Sequence, residues 1–281
     1  MKKKLINLVV AAALAGGAAV AHSASYNTFS SDGVLQNFSG IDWHSNGGGW
    51  IQGFGLTGAN NAGDSDVFTL TYQAFAGTIG TTSAVNELYV ASPGSASGSY
   101  EDTIFSTITQ TATCANDGCS SINITVNGGT WQIFHDSTPD ANQAAGTGFL
   151  DGVNIISGTW DGGFSSFSAT GAIPNPGVFG AGGGFLVGTV TDTDNTFINP
   201  NLLGTTLQAS LIYPGQSSPT FTRPTAFNGV STGANTAENF VIQTDTSQNF
   251  TQQVPEPSIM ALVGIGLLGF GVANRRRRTS N

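Results

Sequence analysis

The chain has 281 residues, 39 glycines, a formal net charge of −9 and only 9% charged residues. Sixteen of its seventeen acids lie between residues 25 and 253, with Arg223 as the one basic residue there. A body with no positive patch excludes electrostatic binding to nucleic acid or anionic lipid headgroups, and a Gly-, Ser-, Thr-, Asn- and Phe-rich composition nearly free of Lys, Glu and Arg argues for strands over helices.

Residues 1–21 have the form of a secretory signal peptide. Lys2, Lys3 and Lys4 precede an apolar run at 5–15, and Ala19-Val20-Ala21 fits a small-x-small cleavage site. Cleavage as late as residue 24 also fits. Residues 25–242 then form the body, long enough for one large domain with a sizeable core.

Period-two alternation predicts strands at 67–75, 104–111, 121–126, 130–135, 153–160, 185–190, 207–212 and 239–244. In the first, Phe68, Leu70, Tyr72 and Ala74 share one face, and Thr69, Thr71 and Gln73 the other. Turn signals fall between these runs, at Asn127-Gly128-Gly129, Asp151-Gly152, Asp161-Gly162-Gly163 and Pro174-Asn175-Pro176-Gly177. The first of them reads as a hairpin turn. The expected fold is all-β: a single β-sandwich domain of jelly-roll type, flanked by an N-terminal signal helix and a C-terminal transmembrane helix. Residues 243–253, rich in Thr, Ser, Gln and Asn, read as a polar spacer.

Within the body, Cys114 and Cys119 bracket C-A-N-D-G-C. Outside the cytoplasm the expected outcome is a disulfide closing that small loop. Asp192, Asp194 and Asn195, and also Asp64 and Asp66, place hard oxygen ligands close together, a pattern that suits a structural Ca²⁺ site. Neither segment closes with the Glu of an EF-hand, and solvated turn acids are the plainer reading. No other cofactor is expected.

His44 and His135 read as satisfied strand-end residues. Trp43, Trp50, Trp131 and Trp160 read as core, with sugar stacking as the alternative. Arg223, the lone cation, is expected to pair with a carboxylate. Gly229-Val230-Ser231-Thr232-Gly233 matches G-x-S-x-G, but loop-like flanks and the lack of a histidine after Ser231 argue against a nucleophile elbow. No pair of carboxylates is singled out by spacing, so no catalytic residue is assigned.

The segment 254–281 has three parts in order. Pro255, Glu256 and Pro257 come first, then an uncharged apolar run at 258–274, then Arg275, Arg276, Arg277 and Arg278. As a helix the apolar run spans roughly 25 Å, slightly under the ~30 Å hydrocarbon core. The arginines predict a cytoplasmic end, with everything upstream of the span outside. The prolines predict an extended, accessible segment just outside the bilayer.

This tripartite tail resembles the PEP-CTERM sorting signal that Gram-negative bacteria present to an exosortase. The resemblance implies transient inner-membrane anchoring, processing near Pro255-Glu256-Pro257, and release to the cell surface or beyond. It further implies an association with exopolysaccharide, biofilm and floc. The expectation is therefore an exported, non-enzymatic structural or adhesive matrix protein with exosortase, membrane and exopolysaccharide as partners. The alternative is a secreted carbohydrate-binding module or glycoside hydrolase bearing the same tail.

Overall fold

The computed structural model describes residues 26–29, 35–38, 40–58, 60–79, 100–169, 180–199, 201–213 and 221–251. They belong to one compact unit, Ala24–Gln252. The expected signal helix, transmembrane helix and Pro174–Gly177 turn lie outside the described residues. No described helix is long and apolar enough to cross a membrane.

Every described element is a strand. In chain order they are β1 (Tyr26–Phe29), β2 (Leu35–Phe38), β3 (Gly40–Trp43), β4 (Gly47–Gln52), β5 (Ser65–Ile79), β6 (Glu101–Cys114) and β7 (Ser121–Asp136). There follow β8 (Val153–Ala169), β9 (Gly180–Thr193), β10 (Ile198–Asn199), β11 (Thr206–Tyr213), β12 (Ala226–Phe227), β13 (Val230–Ser231) and β14 (Asn239–Thr251). β10, β1 and β2 form a small sheet, β12 and β13 a two-stranded ribbon, and the other nine one large antiparallel sheet.

That large sheet closes on itself. β3 and β4 share one position, since both pair with β5 on one side and β14 on the other. The register can be followed around the ring from Phe240 to Ile51, Leu70, Ile108 and Gly129. It continues through Trp160, Gly188 and Leu207 to Phe250, ten residues further along β14 than the start. Such a stagger is what tilting strands into a closed barrel requires. The all-β expectation holds, and opposite walls face each other across the core as the layers of a sandwich do. The strands follow one another around the ring, whereas a jelly roll crosses between sheets by long connections.

Inward residues make the core. Ile104, Ile108, Ile133, Ile156, Leu70 and Leu207 are all buried. Trp131 and Trp160 lie 6.0 Å apart at their centroids. Glycines opposite them make the room: a Cβ at Gly158 would run into the Trp131 indole, and one at Gly188 would press on both rings. Each indole N–H is satisfied, Trp131 donating to the Thr159 carbonyl and Trp160 to Ser106 Oγ. The buried side-chain amides of Gln110 and Gln248 have no hydrogen-bond partner among the described residues.

Three expectations are corrected. Asn127-Gly128-Gly129 is no hairpin turn, because β7 runs straight through it as a bulge opposite Thr109 and Gln110. Asp161-Gly162-Gly163 is likewise a bulge inside β8. Glycines there serve the extra residue of a bulge rather than a reversal. Residues 243–251 are not spacer but most of the closing strand, and Gln243, Thr244, Thr246 and Gln248 are buried. Composition hid this strand, because its inward residues are largely polar.

Candidate functional site

At one end of the barrel the first residues of β6 lie opposite the last residues of β7. Glu101 pairs with Asp136, and Asp102 with His135. Alternation along the pleat sends the two pairs to opposite faces. Asp102 and His135 face inward, their carboxylate and Nδ1 2.9 Å apart and both buried. The His135 ring sits between Tyr100 and Phe197, at centroid distances of 5.1 and 5.0 Å. His135 is thus the satisfied strand-end residue its sequence suggested. His44 also closes a strand, its Nδ1 accepting the Asn46 N–H.

Glu101 and Asp136 face outward, under the connection formed by residues 137–152. That connection folds back on the barrel by Phe149 packing on Phe75, 4.8 Å between centroids, with Ala141 beside them. Thr103 donates its hydroxyl to the Phe149 carbonyl. Gly148, at φ +78, brings the chain so near Asp140 and Ala141 that a side chain there would strike both. The N–H groups of Asp140 and Ala141 both donate to Glu101 Oε1, at 3.0 and 2.9 Å.

Glu101, Asp136 and Asp140 each then offer a carboxylate oxygen within 4.8 Å of the others. Glu101 is wholly buried, Asp136 half-buried and Asp140 exposed. Burial pushes the Glu101 carboxyl up to about 7, against the pull of its two N–H donors, with Asp136 and Asp140 adding repulsion. Asp140 is raised as well, by desolvation and then by Asp151 and Asp136. A second acidic pair lies on the outer face at Asp42 and Asp245. Burial raises both, Asp245 further raises Asp42, and His44 opposes each shift.

The other sequence candidates lie elsewhere. Asp194 Oδ1 accepts the Thr196 N–H and Asp192 Oδ1 the Thr193 N–H, so these acids hold their own turn. Among the described residues, the three-carboxylate grouping is at Glu101, Asp136 and Asp140 instead. Asp66 accepts from Gly55 N–H and Asp64 from Asn61 N–H. Cys114 and Cys119 are disulfide-bonded.

All four tryptophans are buried, so none presents a ring to a sugar. Arg223 does not follow expectation: it donates to Asn235 Oδ1, Thr232 Oγ1 and the Gly233 carbonyl, and no ion pair to it is found among the described residues. Ser231 of the G-x-S-x-G match ends the β12–β13 ribbon. Its tight turn is Asn228-Gly229, both at positive φ, as such a two-residue hairpin demands.

The barrel sets the class: a closed, all-β, acidic domain, with no described residue arranged as a nucleophile elbow. The more specific identification comes from the tail, where residues 253–278 match the PEP-CTERM protein-sorting motif. The tail thus carries the PEP-CTERM sorting motif, which implies export as an exosortase substrate, and the match leaves the barrel unassigned. No curated protein and no solved structure matches it. Pro255, Glu256, Pro257 and Arg275, Arg276, Arg277 and Arg278 fall within the matched segment and outside the described residues.

Proposed function

We propose that the barrel is a non-enzymatic structural or adhesive component of an extracellular matrix, delivered by its tail and released at the cell surface. The carrying observation is the sorting motif at 253–278. Supporting it, the described body is acidic, and its one cation is engaged with neutral oxygens. The raised carboxyl of Glu101 lies beneath a connection rather than in an open cleft. Matrix attachment through exopolysaccharide fits the outer face of β8 and β9. There the cross-strand partners Phe164 and Phe185 are 46% and 55% exposed. Their cross-strand neighbours Thr125 and Ser210 and, further along the strands, Ser166 and Gln208 are uncharged. Exposed rings beside hydroxyls and amides suit sugar faces.

The test is intact mass spectrometry of the protein from culture medium, matrix and envelope, with and without the exosortase. Intact mass is needed because the body's single tryptic site, Arg223, precedes Pro224. A species ending near Pro255 to Pro257, recovered with the matrix and lost without the exosortase, is expected. A full-length envelope species in both strains would sink the reading.

A further inference from the structure

We propose that Glu101, Asp136 and Asp140 bind one Ca²⁺ and that the ion fastens the 137–152 connection to the end of the barrel. This inference stands apart from the matrix reading and fails or holds without it.

Three acids near one another are common on surfaces and prove nothing alone. The second observation is the orphaned oxygen of Glu101. Its Oε1 accepts two backbone N–H groups, but Oε2 is buried and has no hydrogen-bond partner among the described residues. An unpaired buried carboxylate oxygen is costly. It is the Glu101 atom left free for a cation.

Among the described residues no protein cation takes that role. His135 is bonded to Asp102 on the opposite face of the strand pair, and Arg223 is held by Asn235, Thr232 and Gly233. Asp151 acts on Asp140 and adds to the local negative charge.

The donor set selects the metal. All three ligands are carboxylate oxygens, with no nitrogen or sulfur in the grouping. Hard oxygens suit Ca²⁺, which tolerates irregular geometry at about 2.3–2.6 Å. Oxygens on opposite sides of such an ion stand up to roughly 5 Å apart, so the 4.8 Å grouping can share one. Exposed Asp140 leaves solvent access, and water completes the six to eight ligands the ion takes. Few protein ligands and an open side place the affinity in the range of about 10⁻⁴–10⁻³ M typical of extracellular modules.

The experiment uses the full chain in mild detergent, stripped with EDTA and titrated with Ca²⁺ alone while Tm is followed. A saturable rise of a few degrees is expected, with Mg²⁺ at equal concentration doing much less. Asp140→Asn, at an exposed position that leaves folding intact, should weaken the response about tenfold. Asp136→Asn should do the same, and Asp161→Asn should leave it unchanged. The proposal is overturned if 5 mM Ca²⁺ leaves Tm at its EDTA value. It is equally overturned if Mg²⁺ matches Ca²⁺, which is screening, or if Asp140→Asn responds like the parent.

Discussion

On the β4–β5–β6 side of the barrel, several residues that point away from the core are as buried as the core itself. Gln73 is 0%, Thr103 2% and Phe75 6% exposed. On the β8–β9 side, outward Phe164 and Phe185 stand half in water. The cause is local. Two connections, 137–152 and 221–238, fold back over the first side, where Trp50 stacks on Phe227 at 6.0 Å and Phe149 on Phe75. Nothing described folds over Phe164 and Phe185. The same alternating strand thus yields a second small core on one wall and a bare surface on the other.

The contrast is sharpest in paired substitutions. Phe227→Ala empties a fully buried site and should cost about 3–5 kcal/mol in urea unfolding. Phe185→Ala should stay within about 0.5 kcal/mol of the parent. Equal costs would break the comparison.

Glu101→Ala removes the acceptor of two N–H groups and should cost about 1.5–3 kcal/mol. Its sharper readout is thermolysin cleavage before Phe149 or Leu150, which should accelerate in the variant while β8 and β9 stay protected. Uniform cleavage over the whole domain would mean that the covered wall has no separate stability.

The covered wall should also respond to pH. In EDTA, between about pH 4.5 and about 7, the folded chain keeps a proton on Glu101 that the unfolded chain has released. The native state binds more protons there, so stability is highest below that window and falls as pH rises through it. Raised Asp42 and Asp245 push the same way, while Asp136 and Asp140 are the charges that act on Glu101 itself. A Tm series should show the fall, and Glu101→Gln should flatten it.

The smallest effect lies in the core. Gln110→Met replaces a buried amide without partners by an apolar chain of similar length. It should raise stability by up to about 1 kcal/mol, and a loss instead would show that the amide is satisfied.

Much of this was legible. Alternation located the strands, and the cysteine spacing located the disulfide. What failed did so for physical reasons. Glycine clusters signal turns and bulges alike, so β7 reads as two runs and β8 as one that stops at residue 160. The Thr- and Gln-rich second part of β14, from residue 243 on, reads as spacer because apolar content marks burial only on average. The carboxylate site was hidden because its members are separated by 35 and 4 residues, joined by a register that only the β6–β7 ladder reveals. Sequence neighbours such as Asp192 and Asp194 drew attention because proximity along the chain is all that a linear reading offers.

The seam of the ring has a consequence in time. Every strand from β5 to β11 can pair with one made before it, but β11 and β3 meet no common partner until β14 arrives. During secretion from the N-terminal end, two raw edges therefore stay open until nearly the whole domain has crossed. The residue that shuts the seam last, Thr251, stands two positions before the sorting motif. Completion of the fold and release of the product are thus written into neighbouring residues, and a chain cut a few positions too early would leave with its edges unsealed and prone to pair with another copy.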